Sequence, residues 1–317
     1  MRPSGTGLVT NSASRRWKKP GLPLVGVLFL LVVAFTTPGF VSLPNMMALS
    51  GTVSLVGCVA VGMTFITISG NIMSFALGAT AAATSMLIAH YSSAGAGMAI
   101  AIGLVFALAV SGIQGLIVGV FRANPLIVSI ASLSLLFGTA QYFSGGQSLY
   151  VETNVFAWLK SRPFGLPAAM VVFVAIAILG ELILRFTRFG QHILLVGSNI
   201  NASVVAGIRT WRTVLGCYAL AGLCAGVCGL LLAARFGSGT MEFGIGYDYS
   251  AISAVLVGGT AIAGGSGSVL RTVIGVLVIA VLQSILLLRG FETQYQYFLI
   301  GVIVLLAILV QGRRVAS

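Results

Sequence analysis

Few side chains in this chain could carry out chemistry, and most of those lie inside apolar stretches. Cys217, Cys224 and Cys228 follow each other at spacings of seven and four residues, so a helix would place their thiols on one face. Thiols on one face could bind a metal or exchange electrons, but cysteines in apolar segments more often act as small packing residues. The sequence therefore predicts packing for these residues and for Cys58, with no metal site and no disulfide framework.

Motifs that signal hydrolysis or nucleotide binding are absent from the sequence. It has no G-x-x-x-x-G-K-[ST] phosphate-binding loop, no H-E-x-x-H zinc motif and no G-x-S-x-G nucleophile motif. The glycine-rich run from Gly258 to Ser268 has no lysine, and we interpret it as close helix packing or a break between half-helices. We therefore predict that the chain is not an enzyme and holds no cofactor of its own.

Glu181 is the one carboxylate that we expect inside an apolar segment. Ion-coupled transporters keep such a group near the bilayer midplane, where it relays protons or cations. Glu181 lies about one turn from the end of its segment with Arg185 four residues later, which favours an ion pair at the membrane surface. The sequence therefore indicates that the energy source is on another polypeptide.

Composition defines the fold class that must position these groups. Hydrophobic residues form 58% of the 317 and charged residues only 7%, whereas a soluble domain carries about 25% charge. The sequence predicts an all-α polytopic membrane protein with about ten spans, although a short eighth segment and an uncharged second break leave eight or nine open. The predicted spans are 22–38, 46–69, 75–93, 97–121, 125–144, 166–186, 213–234, 249–263, 268–288 and 295–311.

Basic residues determine the predicted orientation. With the N-terminus inside, only four of the seventeen Lys and Arg residues fall outside: Lys160, Arg162, Arg235 and Arg289. Both termini are then cytoplasmic, with a basic tail at 1–20, one transmembrane domain at 21–312 and a short tail at 313–317. The segment 14–20 could also begin a signal peptide, but no small-residue cleavage site follows it, so a retained anchor is favoured. The scattered basic residues do not indicate nucleic-acid binding.

A polar segment, residues 185–212, interrupts the apolar sequence and forms the largest predicted cytoplasmic loop, at 187–212. Asparagine favours helix starts and glycine favours helix ends, so we predict a short helix over 201–206 that starts at Asn199 or Asn201 and ends at Gly207. An ordinary connector is the alternative interpretation of this loop.

Residues 189–208, FGQHILLVGSNINASVVAGI, resemble the cytoplasmic loop of ATP-binding-cassette importer permeases of the ribose or simple-sugar family. Four further stretches resemble this family in the same order, at 122–138, 218–239, 244–275 and 312–314. The resemblance runs from about residue 40 to the end and implies a permease subunit in the cell membrane with an inverted internal repeat. The alternative function is an ion-coupled secondary transporter or facilitator without an ATPase.

The resemblance also implies partners. A cytoplasmic ATP-binding subunit with its ATP and Mg would receive the loop, an extracytoplasmic binding protein would deliver a monosaccharide or similar solute, and a second permease copy or paralogue would complete the pathway. Small residues at Gly115/Gly119, Gly222/Gly226 and Ala225/Gly229 permit close helix contact. The loop residues assigned to the ATPase contact are Gly190, His192, Gly197, Asn199, Ala202, Ala206, Gly207 and Ile208.

Polar residues in or beside the spans are the candidates for the substrate pathway: Asn71, Ser74, Asn124, Gln141, Tyr142 and Asp248. Breaks at 70–71 and 244–246 point to the same region, because interrupted segments often flank a pathway. The chain departs from the family pattern at Met73 and Ser250, where acidic residues are expected, and this puts a typical pentose or hexose in doubt. Arg235 and Arg289 each end a span and are candidates for docking the binding protein, or they anchor the spans at the interface.

Overall fold

The computed structural model describes residues 33–34, 36–152, 155–160, 167–292, 294–303 and 305, and this part of the chain is mainly helical. The predicted tails at 1–20 and 313–317 lie outside the described residues, as do most of the predicted first span and the end of the last. The helices are α1 (Leu43–Ile68), α2 (Leu77–His90), α3 (Ala96–Phe121), α4 (Pro125–Ser144), α5 (Ala157–Lys160), α6 (Ala168–Phe186), α7 (Arg188–Ser198), α8 (Ile200–Val205), α9 (Thr210–Phe236), α10 (Tyr247–Val257) and α11 (Val269–Leu288).

Six of the described helices are long and apolar enough to cross a membrane: α1, α3, α4, α6, α9 and α11. The predicted third and eighth spans appear instead as α2 and α10, which have 14 and 11 residues. At about 1.5 Å per residue, helices of this length do not cross a hydrocarbon core of about 30 Å. Residues 294–303 are also helical. The membrane part of the described fold therefore has six long helices and the two short, mostly buried helices α2 and α10.

Helix α1 lies at the centre of the bundle. Every residue from Val53 to Ile68 is buried, and the helix contacts α6, α9, α10 and α11. Helix α4 is the opposite case, because 89% of its apolar window is not buried within this chain. Most apolar side chains on α4 are therefore not covered by the described part of this chain.

Helices α3 and α9 form the most extensive helix pair in the described fold. A Cβ at Gly115 would come within 2.6 Å of the Tyr218 Cβ, and one at Gly222 would come within 2.6 Å of the Ala107 carbonyl oxygen. Only glycine allows this approach of the two backbones. The pairs Gly115/Gly119 and Gly222/Gly226 thus pack these two helices within one chain, as most such pairs do, so Gly119 and Gly226 are not free for a second copy. Gly229 of the third pair packs against Ala81 of α2 instead.

Three non-helical breaks interrupt the bundle, as the glycine patterns predict. They lie at residues 69–76, 237–246 and 258–268, and the second contains the 3₁₀ turn Met241–Gly244. Gly70, Gly246 and Gly264 have positive φ angles of 83°, 87° and 84°, a conformation that favours glycine. Helices α2, α10 and α11 each begin directly after one of these breaks.

Two small features complete the described fold. The strands β1 (Leu149–Tyr150) and β2 (Ser238–Gly239) pair antiparallel at the end of the bundle where α4 and α9 finish. All four cysteines are buried, and the Cys228 Sγ lies 3.4 Å from the Leu55 carbonyl oxygen. Their position between helices is consistent with the packing role predicted from the sequence.

Candidate functional site

The cytoplasmic loop predicted at 187–212 contains two helices, of which the sequence analysis found one. Helix α7 begins after Thr187, whose Oγ1 accepts a hydrogen bond from the Gly190 amide at 3.1 Å. Its residues Ile193 and Val196 are buried against the bundle. A helix N-cap followed by apolar residues at a spacing of three to four was the signal that could have revealed α7.

The predicted short helix is confirmed as α8, one residue earlier than expected. The Asn199 Oδ1 accepts a hydrogen bond from the Ala202 amide at 3.0 Å, which is N-capping. Gly207 ends the helix with a φ of +78°, and the Ile208 amide donates to the Ser203 carbonyl at 3.0 Å. Asparagine and glycine therefore begin and end this helix as their local preferences predict.

Helix α8 presents an apolar surface that no described part of the chain covers. Ile200, Val204 and Val205 are exposed by 46%, 49% and 89%. Ala202 and Ala206 are also exposed, whereas Ser203 is buried. Exposed apolar side chains that are grouped on one short helix indicate a contact surface for another protein.

Gly197 connects this loop to two of the breaks in the bundle. A Cβ at Gly197 would overlap the Ile68 carbonyl oxygen at the end of α1 and would lie 2.6 Å from the Gly265 amide nitrogen. That amide in turn donates to the Ile68 carbonyl at 2.9 Å. A Cβ at Gly70 would lie 3.1 Å from the Gly197 Cα. The loop backbone, the end of α1 and the later part of the 258–268 segment therefore meet at one glycine contact.

The other residues assigned to the loop contact have different surroundings. Gly190 is buried where a Cβ would overlap the carbonyl oxygens of Ile183 and Leu184. His192, Asn199 and Gly207 are exposed, and Ile208 is half-buried. Gly190 and Gly197 thus hold the loop on the bundle, whereas the exposed residues belong to its outer surface.

Glu181 forms the ion pair with Arg185 that the sequence predicts, but its carboxylate is buried rather than at the surface. It is 7% exposed, and its carboxylate accepts hydrogen bonds from the Ser268 hydroxyl at 3.0 Å and from the Leu270 amide at 3.1 Å. Arg185, which is largely exposed, pairs with the same carboxylate. Glu181 therefore caps the first turn of α11 from α6, a contact that joins residues 87 apart and leaves no local sequence signal.

Asp248 lines a cavity of about 350 Å³ between α2, α4 and α10. Its carboxylate accepts a hydrogen bond from the Gly78 amide at 2.8 Å. The remaining lining is largely apolar and includes the aromatic rings of Phe75, Phe137 and Tyr249. Phe75 and Tyr249 contact edge to face with ring centroids 6.1 Å apart. A cavity with aromatic walls and one polar group can hold a small organic solute.

The other five residues predicted for the pathway do not gather around this cavity. Asn71 donates to the Ser69 hydroxyl at 2.8 Å, and Ser74 is fully buried. Asn124 caps α4 by accepting from the Leu126 amide at 3.0 Å. Gln141 and Tyr142 are exposed at the opposite end of α4. The sequence analysis also missed Phe75 and Phe137, because aromatic residues in apolar segments look like ordinary span residues.

Arg235 and Arg289 lie at the ends of α9 and α11, on the same side of the bundle as the start of α1. The Arg235 guanidinium lies 5.5 Å from the Phe236 ring centroid and fills the space beside Gly51. The Arg289 Nη2 donates to the Thr37 Oγ1 at 3.5 Å. Both arginines are exposed at defined positions on this end of the molecule.

The fold and these sites define a multi-pass helical membrane protein whose two-helix loop at 188–205 rests on breaks in the bundle. The family model described as "Branched-chain amino acid transport system / permease component" matches residues 24–308. The chain therefore belongs to this family of ATP-binding-cassette importer permeases. No solved structure matches the chain.

Individual relatives cover nearly the whole chain. The L-arabinose transport system permease protein AraH of Escherichia coli (strain K12) is 30% identical over 96% of this chain and 94% of its own length. The ribose import permease protein RbsC of Bacillus subtilis (strain 168) is 30% identical over 93% of each chain. The probable ABC transporter permease protein YphD of Escherichia coli (strain K12) is 34% identical over 93% of this chain and 90% of its own.

Family membership confirms the main functional prediction from the sequence. The chain is the membrane-spanning permease subunit of an ATP-binding-cassette importer and lies in the bacterial cell membrane. It is a transport subunit rather than an enzyme. The comparisons favour this class over the ion-coupled secondary transporter or facilitator.

Proposed function

We propose that this permease imports a small polar solute, a monosaccharide or sugar-like compound, and that a cytoplasmic ATPase drives it through the loop at 188–208. The relatives named for arabinose and ribose support a sugar substrate. The cavity at Asp248 supports it as well, because aromatic faces and a few polar groups suit a small ring-shaped solute. At two positions where the family pattern has acidic residues, this chain has Met73 and Ser250, and both bear on the choice of sugar. Met73 is buried, and Ser250 lines a different cavity from Asp248.

The contact at Gly197 is the observation that carries the coupling proposal. It links α7 to the end of α1 and to the segment before α11 with no side chain between the backbones. A displacement of the loop therefore has to move both membrane breaks, because backbones packed in direct contact cannot pass through one another. Coupling needs two states that differ in contacts at this loop, and rigid-body rocking of the helices provides them.

The energy source belongs to a partner in this proposal. ATP and Mg bind to the ATPase, and the exposed apolar face of α8, with Ile200, Val204 and Val205, inserts into it. On the opposite end, a substrate-binding protein places carboxylates on Arg235 and Arg289. The family implies both partners, and the two surfaces have the chemistry to receive them.

A second copy or a close paralogue completes the pathway in this proposal. Helix α4 supplies Ile130, Leu133 and Phe137 to the wall of the Asp248 cavity while most of the helix is uncovered. A partner chain placed against α4 would close this cavity from the side. The pathway would then lie between the two chains and include both copies of Asp248.

An inverted internal repeat with ten membrane segments is consistent with the helix lengths. The series α1, α2, α3 has 26, 14 and 26 residues, and the series α9, α10, α11 has 27, 11 and 20. Each series has a short helix after a break, and Gly78 and Gly244 from the two series contact one another. With the predicted first and last spans, the segments number ten and both termini are cytoplasmic, where the basic residues favour them.

Copurification and transport assays test the proposed function. The purified permease should carry an ATPase, and vesicles should accumulate ribose, arabinose or another neutral sugar only when ATP is present. Uptake should survive a proton uncoupler. Uptake that persists without ATP and collapses with the uncoupler would contradict the proposal and restore the ion-coupled alternative.

A further inference from the structure

A second cavity, which we call the amide-lined cavity, lies within a single chain beside the start of α10. It has a volume of about 290 Å³ and opens between α1, α10, α11 and helical residues 294–303. Its polar lining comes from Asn45, Thr52, Ser250, Gln283, Ser284 and Gln296. Because it touches the first turns of α1 and the last turns of α11, it lies at the end of the bundle opposite the Gly197 contact.

The chemistry of this lining is uncharged and rich in hydrogen-bonding groups. The cavity is lined by amides, hydroxyls and the phenols of Tyr247 and Tyr297, with no Asp, Glu, Lys or Arg among the described residues that line it. Neutral amides and hydroxyls both donate and accept hydrogen bonds. They are therefore suited to a solute that has several hydroxyl groups and no net charge, and not to an ion.

Part of this hydrogen-bonding capacity is used within the protein and part is left for a ligand. The Ser284 hydroxyl donates to the Asn45 Oδ1 at 2.9 Å, and the Gln283 Nε2 donates to the Ser250 Oγ at 3.2 Å. These bonds hold two side chains in fixed orientations. Within the described part of the chain, the Gln283 Oε1 and the Gln296 side-chain amide have no hydrogen-bond partner. Such groups inside a membrane protein are costly unless water or a ligand satisfies them.

The amide-lined cavity is adjacent to the cavity at Asp248. Ile245 and Gly246 line both cavities, so this short backbone segment separates them. In helix α10, Tyr247 and Ser250 line the amide-lined cavity, whereas Asp248 lines the other cavity. Tyr297 is close to the dividing segment, because a Cβ at Gly246 would lie 2.7 Å from its hydroxyl oxygen.

We infer that the amide-lined cavity is a binding site for a neutral polyhydroxyl solute, formed by one permease copy alone; the identity of the solute as a sugar rests on the proposed function. The volume is near the lower end of the roughly 300–1,000 Å³ typical of small-molecule sites, which suits one monosaccharide. Lipid acyl chains would leave the amides and hydroxyls unsatisfied, whereas a polyol satisfies them. The site places a bound solute next to the Asp248 cavity, separated from it by Gly246.

Cysteine protection provides a direct test of binding. Thr52→Cys introduces a thiol into the lining, and the four native cysteines are buried and give little background. The full permease–ATPase complex in nanodiscs is treated with a membrane-impermeant maleimide, with and without ribose or arabinose. At a sugar concentration about ten times its Kd, labelling should slow about tenfold, because about a tenth of the sites remain empty. Ser93→Cys, in the exposed turn Tyr91–Ala94, is the control and should label equally fast with sugar.

Two variants show whether the amide-lined cavity itself causes the protection. Gln283→Leu in the Thr52→Cys background removes a side-chain amide from the lining and should abolish protection. Gln294→Leu is the matched control, because Gln294 is exposed and, among the described residues, its side chain bonds only to Glu292; this variant should keep protection. Ser250→Ala offers a smaller change if Gln283→Leu fails to fold, and it should weaken protection severalfold.

The outcomes separate this inference from the proposed function. If a sugar is imported with ATP but does not protect Thr52→Cys at any concentration, the binding site is refuted and the importer function stands. Reaction of this cysteine with a lipid-soluble maleimide alone would show a lipid-filled cavity and would also refute the site. Protection that survives Gln283→Leu and Ser250→Ala would place the sugar elsewhere. Protection without any import would support the site and contradict sugar import.

Discussion

The carboxylate of Asp248 accepts a hydrogen bond from the backbone amide of Gly78 at 2.8 Å, across 170 residues of sequence. This bond joins the first turns of α2 and α10, the two short helices that start inside the bundle. The backbones also meet at Gly78 and Gly244, where a side chain on either would strike the other's carbonyl. Asp248 therefore fixes the geometry of the cavity that it lines as well as contributing a polar group to it.

Substitution of Asp248 should reveal this double role. Asp248→Ala leaves the Gly78 amide without a partner and should reduce the free energy of unfolding by about 1–3 kcal/mol. Asp248→Asn keeps an acceptor oxygen in the same place and should recover most of this loss. Thermal unfolding of the purified complex measures both. Equal destabilisation by Ala and Asn would show that the charge, rather than the hydrogen bond to Gly78, is what matters.

Gly197→Ala should uncouple ATP hydrolysis from transport. Its methyl group would overlap the Ile68 carbonyl, so the loop has to move away from the end of α1. Overpacking of this kind costs about 1–3 kcal/mol. The ratio of sugar imported to ATP hydrolysed should fall severalfold while the protein still inserts into the membrane.

Gly112→Ala is the matched control for this change, because a Cβ at Gly112 meets nothing within 4 Å and the residue lies in a regular part of α3. It should leave the transport ratio unchanged. If Gly197→Ala keeps the wild-type ratio of sugar imported to ATP hydrolysed, the Gly197 contact does not couple the loop to the membrane helices.

Asn199→Ala should weaken binding of the ATPase. The substitution removes the acceptor for the Ala202 amide and destabilises α8 by about 1 kcal/mol. Because α8 is then helical in a smaller fraction of the molecules, the Kd for the ATPase should rise about fivefold. Asn199→Asp keeps the cap and should restore affinity. Titration of the ATPase onto permease nanodiscs measures the change, and an unaltered Kd would argue against α8 as the contact.

Glu181→Gln should destabilise the protein without abolishing uptake. Gln has one acceptor oxygen where Glu has two, so either Arg185 or the Ser268 and Leu270 donors lose their acceptor, and we expect a loss of about 1–3 kcal/mol in unfolding free energy. Uptake per folded molecule should remain, because the carboxylate caps α11 and carries no proton across the membrane. Glu242→Gln, at an exposed carboxylate, is the control. Complete loss of uptake in correctly folded Glu181→Gln would favour an ion-coupled mechanism.

The local features of the loop were predictable from neighbouring residues. Asn199 and Gly207 begin and end α8 because capping depends on the few residues at each helix end. The breaks at 69–76 and 258–268 were also predictable, since glycine runs interrupt apolar helices. Helix α7 was missed because the whole segment 185–212 was interpreted as a polar loop, and its apolar residues were not considered separately.

The sequence by itself determined the helical membrane class, the predicted orientation and the ends of α8, because hydropathy, charge distribution and capping act along the chain. The tertiary structure alone decided that Glu181 caps α11, that Gly197 meets Ile68, and that Asp248 and Phe137 share a cavity. Such contacts depend on which face of each apolar helix meets its neighbour. In segments that are apolar on every side, the sequence has no polar stripe to reveal that face.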